Sequence, residues 1–265
     1  MTRCLSINRS VTPAEAGAYG PLDGHRRMYD LIEKEPRIET QPSLRVCGVT
    51  LGLMPEGAGW WADERLLVVA DLHLEKGSAF AARGIVLPPY DTRATLARLE
   101  ALIEKLKPRT IVALGDSFHD RAAASRMDAS DAAHLTRLAK NLDWVWIAGN
   151  HDPVPPREFG GTVMEELNLG PLTFRHEPRG APSTGEIAGH LHPCAAVRVR
   201  GRRLRRRCFA SDGTRVILPA FGAYAGGLNV LDAAYENLLP GFDFHAWMMG
   251  ARTVIPVSAR RLEGD

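Results

Sequence analysis

Three apolar segments of this chain run directly into polar side chains of the kind that bind cations. "LLVVADLH" reaches Asp71 and His73, "TIVALGD" reaches Asp116, and "WVWIAGNH" reaches Asn150 and His151. Burying a carboxylate or an imidazole without a partner costs several kcal/mol, so each of these side chains needs one. This requirement constrains the fold strongly, because it favours an arrangement in which the segment ends meet.

Helical patterns alternate with these segments and predict a parallel sheet. The stretch "YDTRATLARLEALIEKLKP" repeats leucine and isoleucine at helical spacing behind an N-cap predicted at Asp91 or Thr92, and it ends at Pro108. A second helix is predicted from about Asp128 to Asn141. Strands and helices that alternate with short connections form right-handed crossovers. The carboxyl ends of such strands share one edge of the sheet, where ligands bind.

After about Pro171 the pattern changes to short strands separated by Gly, Pro and Asp. This change predicts a second, mixed sheet. The new strands are followed by three further histidines, His176, His190 and His192, which brings the metal-binding residue types of both halves into one set. With no internal repeat and no linker, we expect two packed sheets in one domain.

The chain has 265 residues, enough for a large core, and 45% hydrophobic with 24% charged residues is ordinary for a globular protein. The net charge of +2 gives no overall attraction to nucleic acid. Four scattered cysteines without a CxxC pair predict reduced thiols. Without a signal-peptide pattern or an apolar run of about 18 residues, we expect a cytoplasmic protein that does not enter the membrane.

Residues 1–43 are polar, with Gly, Pro and alternating charges, and predict a weakly ordered N-terminal extension. Met28 is an alternative start within it. The regular patterns begin at Leu44, so we expect the folded domain to cover residues 44–265.

Five blocks, "ADLHLEKG", "LGDSFHD", "AGNHDP", "RHEP" and "AGHLHP", resemble the signature blocks of the calcineurin-like metallophosphoesterases. The likeness runs from about residue 44 to the C-terminus and is greatest to bacterial endonucleases associated with a DNA ligase in the DNA damage response. It implies an α/β fold, a four-layer αββα sandwich of two mixed β-sheets flanked by helices. It also implies a metal-dependent phosphodiesterase or endonuclease of DNA repair, with DNA as substrate and a DNA ligase and a helicase as partners.

The resemblance assigns seven side chains to two divalent ions. The assignments are Asp71, His73 and His192 for one ion, Asn150, His176 and His190 for the other, and Asp116 as the bridge. Oxygen and imidazole donors without a thiolate suit Mn²⁺, Fe or Zn²⁺, of which we expect Mn²⁺. Two ions about 3.5–4 Å apart lower the pKa of water and clamp phosphoryl oxygens.

By the same resemblance, His151 would protonate the leaving oxygen or stabilise charge on the phosphoryl group, with Asp152 as its orienting carboxylate. A hydrogen-bonding role for His151 is the alternative. In "GDSFHD", Asp120 follows the bridging aspartate by four residues, whereas many relatives have a second aspartate three residues after it. This difference in spacing leaves the role of Asp120 open. His119 is either a substrate contact or a packing residue, and Lys76 is either a phosphate contact or a surface residue.

"RVRGRRLRRR" carries seven arginines between Arg198 and Arg207. In a hairpin around Gly201, alternation along the strand would place Arg203, Arg205 and Arg207 on one face. That face is either solvated or a contact for DNA phosphates, which fix position without reading sequence.

Two other functions are compatible with the sequence. The same metal chemistry serves hydrolases of small nucleotides or phosphomonoesters, because the walls of the site rather than the metals select the substrate. A non-catalytic scaffold for repair partners is the third possibility. The intact set of candidate ligands argues against the scaffold.

Overall fold

Two β-sheets carry the fold of the residues that the structure, a computed structural model, describes: 41–85 and 87–265. The strands are β1 (Ser43–Val46), β2 (Val49–Leu53), β3 (Gly59–Trp61), β4 (Leu66–Val69), β5 (Thr110–Leu114), β6 (Asp143–Ile147), β7 (Thr162–Met164), β8 (Glu166–Leu169), β9 (Leu172–Arg175), β10 (Glu186–Ala188), β11 (Pro193–Val199), β12 (Arg202–Ser211), β13 (Arg215–Ile217), β14 (Leu228–Asn229), β15 (His245–Met249) and β16 (Val254–Ser258). The helices are α1 (Lys76–Ala81), α2 (Asp91–Leu106), α3 (Ala123–Arg126) and α4 (Ala129–Lys140), with 3₁₀ turns at Arg157–Phe159, Ala233–Tyr235 and Ala259–Arg261.

The first sheet has the strand order β1-β2-β3-β4-β5-β6-β7. Strands β1 to β4 are antiparallel, whereas β4 to β7 are parallel. All four residues of β4 are buried, as expected for a strand that is covered on both faces. The predicted parallel sheet is therefore confirmed, and its strands end at the polar side chains described above.

Both predicted helices form between these parallel strands. Leu96 and Leu99 of α2 and Leu135 of α4 are fully buried in a cluster with Leu67 and Ile111 of the sheet. Helical spacing places such residues on one face, and their burial holds the helices against the sheet.

The starts of the two helices differ. Asp128, where the second helix was predicted to begin, is the N-cap of α4 and accepts a hydrogen bond from the Ser130 amide. The N-cap of α2 is Tyr90, so the prediction of Asp91 or Thr92 was wrong. Asp91 instead accepts a hydrogen bond from Gly77, and the Thr92 hydroxyl donates to Glu75, because α1 lies beside the start of α2.

The second sheet has the order β14-β11-β12-β13-β10-β9-β8, with β15 paired to β12 and β16 paired to β15. It is mixed, since β9, β10 and β13 are parallel while β11 and β12 form an antiparallel hairpin. The predicted turn of that hairpin forms at Arg200 and Gly201, whose φ angles are 50° and 77°.

The two sheets pack face to face through a fully buried apolar layer. Val68, Val112 and Ile147 of the first sheet share this layer with Phe174 and Phe209 of the second. Helices cover the outer face of the first sheet, and the segment 230–244 with one 3₁₀ turn packs on the second. The predicted fold class, two mixed sheets flanked by helical elements, is confirmed.

The predicted extension at 1–43 and the alternative start at Met28 lie outside the described residues, except for 41–43. Strand β1 already begins at Ser43. The division of the chain at residue 44 stays a prediction. Among the described residues, no helix combines the length and apolar character needed to span a membrane.

Candidate metal centre

The carboxyl edges of the two sheets meet, and all seven predicted ligands follow strands at this meeting line. Asp71 and His73 follow β4, Asp116 follows β5, Asn150 follows β6, His176 follows β9, and His190 and His192 follow β10. An isolated parallel bridge between Ala70 and Ala220 joins the two sheets beside them. The structure therefore brings together side chains that the sequence separates by up to 121 positions.

The first cluster consists of Asp71, His73 and His192. The Nε2 atoms of the two histidines are 3.2 Å apart, and His192 Nε2 is 3.4 Å from Asp71 Oδ1. Burial, followed by the neighbouring His192, lowers the pKa of His73 to about 2. His73 is therefore neutral at neutral pH, the form in which an imidazole binds a metal.

The second cluster consists of Asp116, His176 and His190, with Asn150 beside it. His176 Nε2 is 3.4 Å from Asp116 Oδ1, 2.9 Å from Asn150 Oδ1 and 3.0 Å from His190 Nδ1. Burial, followed by the charge of His176, lowers the pKa of His190.

The donor set of the second cluster fits a cation. His176 Nδ1 donates a hydrogen bond of 2.9 Å to the Leu114 carbonyl, which can only accept. In the neutral ring Nε2 then presents a lone pair, and so do the oxygens of Asp116 and Asn150. A proton on His190 Nδ1 can satisfy Nε2, but the two oxygens still face that nitrogen without a donor between them. A cation among these atoms would stabilise the arrangement. The anchored Nδ1 also fixes the ring orientation, as is typical of histidines that bind metals.

The backbone at this edge is held in an unfavourable conformation. Five candidate ligands have left-handed φ angles, with Asp71 at 52°, His73 at 42°, Asp116 at 45°, His190 at 71° and His192 at 48°. This region costs a residue with a β-carbon about 1–2 kcal/mol. Such strain persists where the surroundings impose it, and it concentrates at functional sites.

Two glycines permit the close approach of the ligand loops. A β-carbon at Gly149 would overlap the Asp116 amide nitrogen, and one at Gly189 would lie 2.7 Å from Asp71 Oδ2. These glycines were not singled out from the sequence, although each directly precedes a predicted ligand in "GN" or "GH".

His151 lies at the solvent side of the two clusters. Its amide donates to Asp116 Oδ1 at 2.9 Å, and its Nδ1 donates to the His119 carbonyl at 3.0 Å. Its side chain is 43% exposed, while that of Asp116 is 3% exposed. With Nδ1 engaged, Nε2 is the atom that can exchange a proton with a bound molecule. The His119 ring stacks on the His151 ring at 5.4 Å, so His119 lies directly beside His151.

The structure does not place Asp152 against the His151 imidazole, as an orienting carboxylate requires. Asp152 is buried, and its Oδ2 accepts a hydrogen bond of 3.1 Å from the Phe118 amide. Burial raises the pKa of Asp152 to about 7, against the hydrogen bond from Phe118. The two side chains are adjacent in sequence but bond to different parts of the loop that follows β5. This geometry corrects the predicted pairing and indicates that Asp152 braces that loop.

The structure also shows what surrounds Asp120 and Lys76. Both oxygens of Asp120 lie 2.9 Å from Nη2 of Arg126, and Oδ1 also accepts from the Ala122 amide, so Asp120 stabilises the start of α3. Lys76 is half-buried at the start of α1, and its charge contributes to the lowered pKa of His73 and His119. Lys76 therefore lies near the clusters.

The three arginines predicted to contact DNA share one face of β12, but other parts of the chain occupy them. Arg203 donates to the Gly264 carbonyl and Asp265, and Arg205 donates to the Gly227 carbonyl. Arg207 donates to the carbonyls of Ala220 and Gly222 at 2.8 and 3.2 Å. The structure therefore does not present them as free phosphate contacts, because the C-terminal residues and the segment 220–227 cover this face.

A cleft of about 670 Å³ opens beside Asn150 and His176. Its walls carry both signs of charge, among them Glu166, Arg175 and Arg179. Arg175 is bound to Glu166 and Glu186 at 2.8 Å each, whereas Arg179 is mostly exposed. The second cluster is thus accessible to a molecule larger than water.

The family model of the calcineurin-like phosphoesterases matches residues 64–201, a range that contains all seven candidate ligands and His151. The solved structure of Pseudomonas putida nuclease MPE is similar, with 32% identity, a TM-score of 0.65, and coverage of 82% of this chain and 99% of that chain. YfcE, a phosphoesterase from E. coli, also matches, with 13% identity, a TM-score of 0.37, and coverage of 73% of this chain and 98% of that chain. None of the curated proteins compared with the chain matches it.

Proposed function

Because the chain belongs to the calcineurin-like phosphoesterase family, and is therefore a hydrolase of phosphoester bonds, we propose that it is a metal-dependent nuclease that cleaves phosphodiester bonds in DNA. The observation that carries this proposal is the convergence of two ligand clusters at one sheet edge with a half-exposed imidazole beside them. The similarity to a nuclease over 99% of that protein supports a polymeric substrate.

The family uses two divalent metals, and this chain has two candidate sites for them. We assign Asp71, His73 and His192 to one ion and Asn150, His176 and His190 to the other, with Asp116 between them. When bound, two such ions activate water and stabilise negative charge on the phosphoryl group. The oxygen and imidazole donors support Mn²⁺, with Fe and Zn²⁺ as the alternatives.

His151 is assigned as the group that protonates the leaving oxygen. The His119 carbonyl engages Nδ1, which leaves Nε2 available to a bound molecule. The hydrogen bond from its amide to Asp116 ties the position of His151 to that of the carboxylate that would lie between the two ions. A proton donor at a fixed place beside the phosphoryl group removes the cost of releasing a charged alkoxide.

The cleft beside Asn150 and His176 supports a substrate that extends beyond the scissile phosphate. Arg200, Arg202 and Arg206 are exposed and make no ion pair within 4.0 Å among residues 41–85 and 87–265, so phosphates can reach them. We keep the association with a DNA ligase and a helicase in cytoplasmic DNA repair as part of the proposal. It rests on the sequence resemblance alone.

A hydrolase of small nucleotides or phosphomonoesters is the second candidate. It is favoured by one observation, the engagement of Arg203, Arg205 and Arg207 by other parts of the chain. In the sequence, these arginines were the main argument for a polymeric substrate, and their engagement weakens that argument.

Purified protein loaded with Mn²⁺, Mg²⁺ or Zn²⁺ tests the proposal. The substrates are an aryl phosphodiester, an aryl phosphomonoester, cyclic nucleotides, and single-stranded, duplex and nicked DNA. We expect the highest kcat/KM for DNA, with Mn²⁺, and none of this activity in Asp116→Asn. A higher kcat/KM for a monoester or a cyclic nucleotide than for every form of DNA would overturn the nuclease assignment in favour of the second candidate.

A further inference from the structure

The glycine-rich segment 220–227, "AFGAYAGG", packs on the backbone of the first cluster. The Phe221 amide donates to the Ala70 carbonyl at 2.8 Å, and the Gly222 amide donates to the Asp71 carbonyl at 3.1 Å. A β-carbon at Gly222 would overlap the Leu72 carbonyl oxygen. The position of this segment is therefore coupled directly to the main chain of Asp71.

Two arginines from opposite layers bind the carbonyl groups of this segment. Arg207 of β12 donates to the carbonyls of Ala220 and Gly222. Arg98 of α2 donates to the Phe221 carbonyl, and its guanidinium lies 4.4 Å from the centre of the Phe221 ring. Three consecutive carbonyls are thus held by two side chains, one from a helix of the first layer and one from the second sheet.

Stability alone does not explain this arrangement, because burying two guanidinium groups costs free energy. Among the described residues, neither Arg98 nor Arg207 has a carboxylate within 4.0 Å, and the buried Nε of Arg98 has no hydrogen-bond partner. Burial, and for Arg98 also the neighbouring charge of Arg207, lowers the pKa of both groups. Burying like charges is unfavourable unless hydrogen bonds or opposite charges compensate, and here the carbonyl groups, the Phe221 ring and the more distant charge of Glu56 near Arg98 do so without a direct ion pair.

The geometry points to Arg98 and Arg207 as positioning residues that hold Ala220–Gly222 against Asp71 and thereby maintain the metal-binding geometry of the first cluster. The left-handed φ of Asp71, 52°, is one that the chain adopts only under such constraint. The second cluster has an additional anchor of its own, the hydrogen bond from His176 to the Leu114 carbonyl, and it is linked to the first through the His190 amide, which donates to Asp71. The inference rests on the proposed function in one respect, namely that the first cluster binds a metal ion.

The test is Mn²⁺ binding to Arg207→Met and Arg98→Met, measured by calorimetry and by the exchange-coupled electron paramagnetic resonance signal of a Mn²⁺ pair. Methionine keeps much of the side-chain length and removes the donors. Arg203→Met is the matched control, because Arg203 lies on the same face of β12 but binds the C-terminal residues. We expect one of two binding steps to weaken about 10–100-fold, as for other residues that support metal ligands. The other step should weaken much less, because its cluster keeps the anchor at Leu114. The coupled signal should disappear at stoichiometric Mn²⁺, and the control should behave as the parent.

Arg207→Lys guards against a variant that fails to fold, since it keeps the charge and one donor nitrogen in place of the guanidinium fork. It should retain an intermediate affinity at the weakened step, with an unchanged far-UV circular dichroism spectrum. Equal weakening of both steps, or of neither, would overturn the positioning role and leave the proposed function intact. A parent protein that binds none of Mn²⁺, Fe²⁺ and Zn²⁺ in the same titration would overturn both.

Discussion

The metal edge, where the seven candidate ligands meet, and the arginine hairpin β11–β12 each concentrate polar side chains of a few types. The two regions differ in whether other groups of the chain satisfy the hydrogen-bonding atoms of those side chains. At the edge, His176 Nε2 meets oxygens of Asp116 and Asn150 at 2.9–3.4 Å, so lone pairs face one another. On the hairpin, Arg203 and Arg205 donate to carbonyl and carboxylate oxygens of the same chain. A cluster calls for an external ligand where its own atoms cannot complement one another, and residue type alone does not reveal this.

The first prediction tests the metal edge at its centre and has the largest expected effect. Asp116→Asn should lose at least one metal equivalent and nearly all turnover, because the neutral amide leaves two cations facing each other with less screening. Metal content by elemental analysis and the rate on an aryl phosphodiester are the measurements. Asp120→Asn is the control, since that carboxylate binds Arg126 and the Ala122 amide. Full metal content with an unchanged rate in Asp116→Asn would remove the bridging assignment.

The second prediction separates metal binding from proton transfer. His151→Ala should keep both ions and turn over about 10²–10⁴-fold more slowly, the range for a missing general acid. The deficit should shrink for an activated phenol, which leaves without a proton. An equal deficit for good and poor leaving groups would show that His151 stabilises charge instead.

Sequence patterns predicted the interior of this protein well, because periodic burial is a property of each segment by itself. They predicted the parallel strands, the helices α2 and α4, and the edge at which polar residues meet. The errors concern which groups bind one another. Asp91 binds Gly77, Asp152 binds Phe118, and Arg203 binds Asp265 from 62 positions away. Such pairs depend on tertiary packing, which local periodicity does not encode.

The third prediction concerns Asp152, whose predicted partner was wrong. Asp152→Ala removes the acceptor of the buried Phe118 amide and should lower the free energy of unfolding by about 1–3 kcal/mol. Asp152→Asn keeps an oxygen there and should retain most of the stability and turnover. Chemical denaturation and steady-state rates measure the two effects. A loss of turnover in Asp152→Asn as large as that in His151→Ala would restore the orienting role.

The last prediction contrasts the two kinds of arginine on the hairpin and has the smallest expected effect. The double variant Arg202→Ser/Arg206→Ser removes two exposed charges. The double variant Arg198→Ser/Arg203→Ser removes two charges that bind Glu263 and Asp265. Both double variants lower the net charge by the same amount. A difference in DNA binding between them therefore reports which arginines are available to phosphates. For the exposed pair, the slope of log affinity for DNA against log salt should become shallower by roughly 0.7–0.9 for each phosphate that the variant no longer binds.

The engaged pair should leave that slope unchanged, because acidic groups of the chain already occupy these guanidinium groups. Both variants should hydrolyse a small phosphodiester as the parent does, since neither pair binds the metal edge or the segment 220–227. Equal changes in slope would mean that Arg198 and Arg203 leave Glu263 and Asp265 in order to bind DNA. The expected difference between the exposed and the engaged arginines would then be wrong. Unchanged slopes in both variants would exclude the hairpin from DNA binding and strengthen the case for a small substrate.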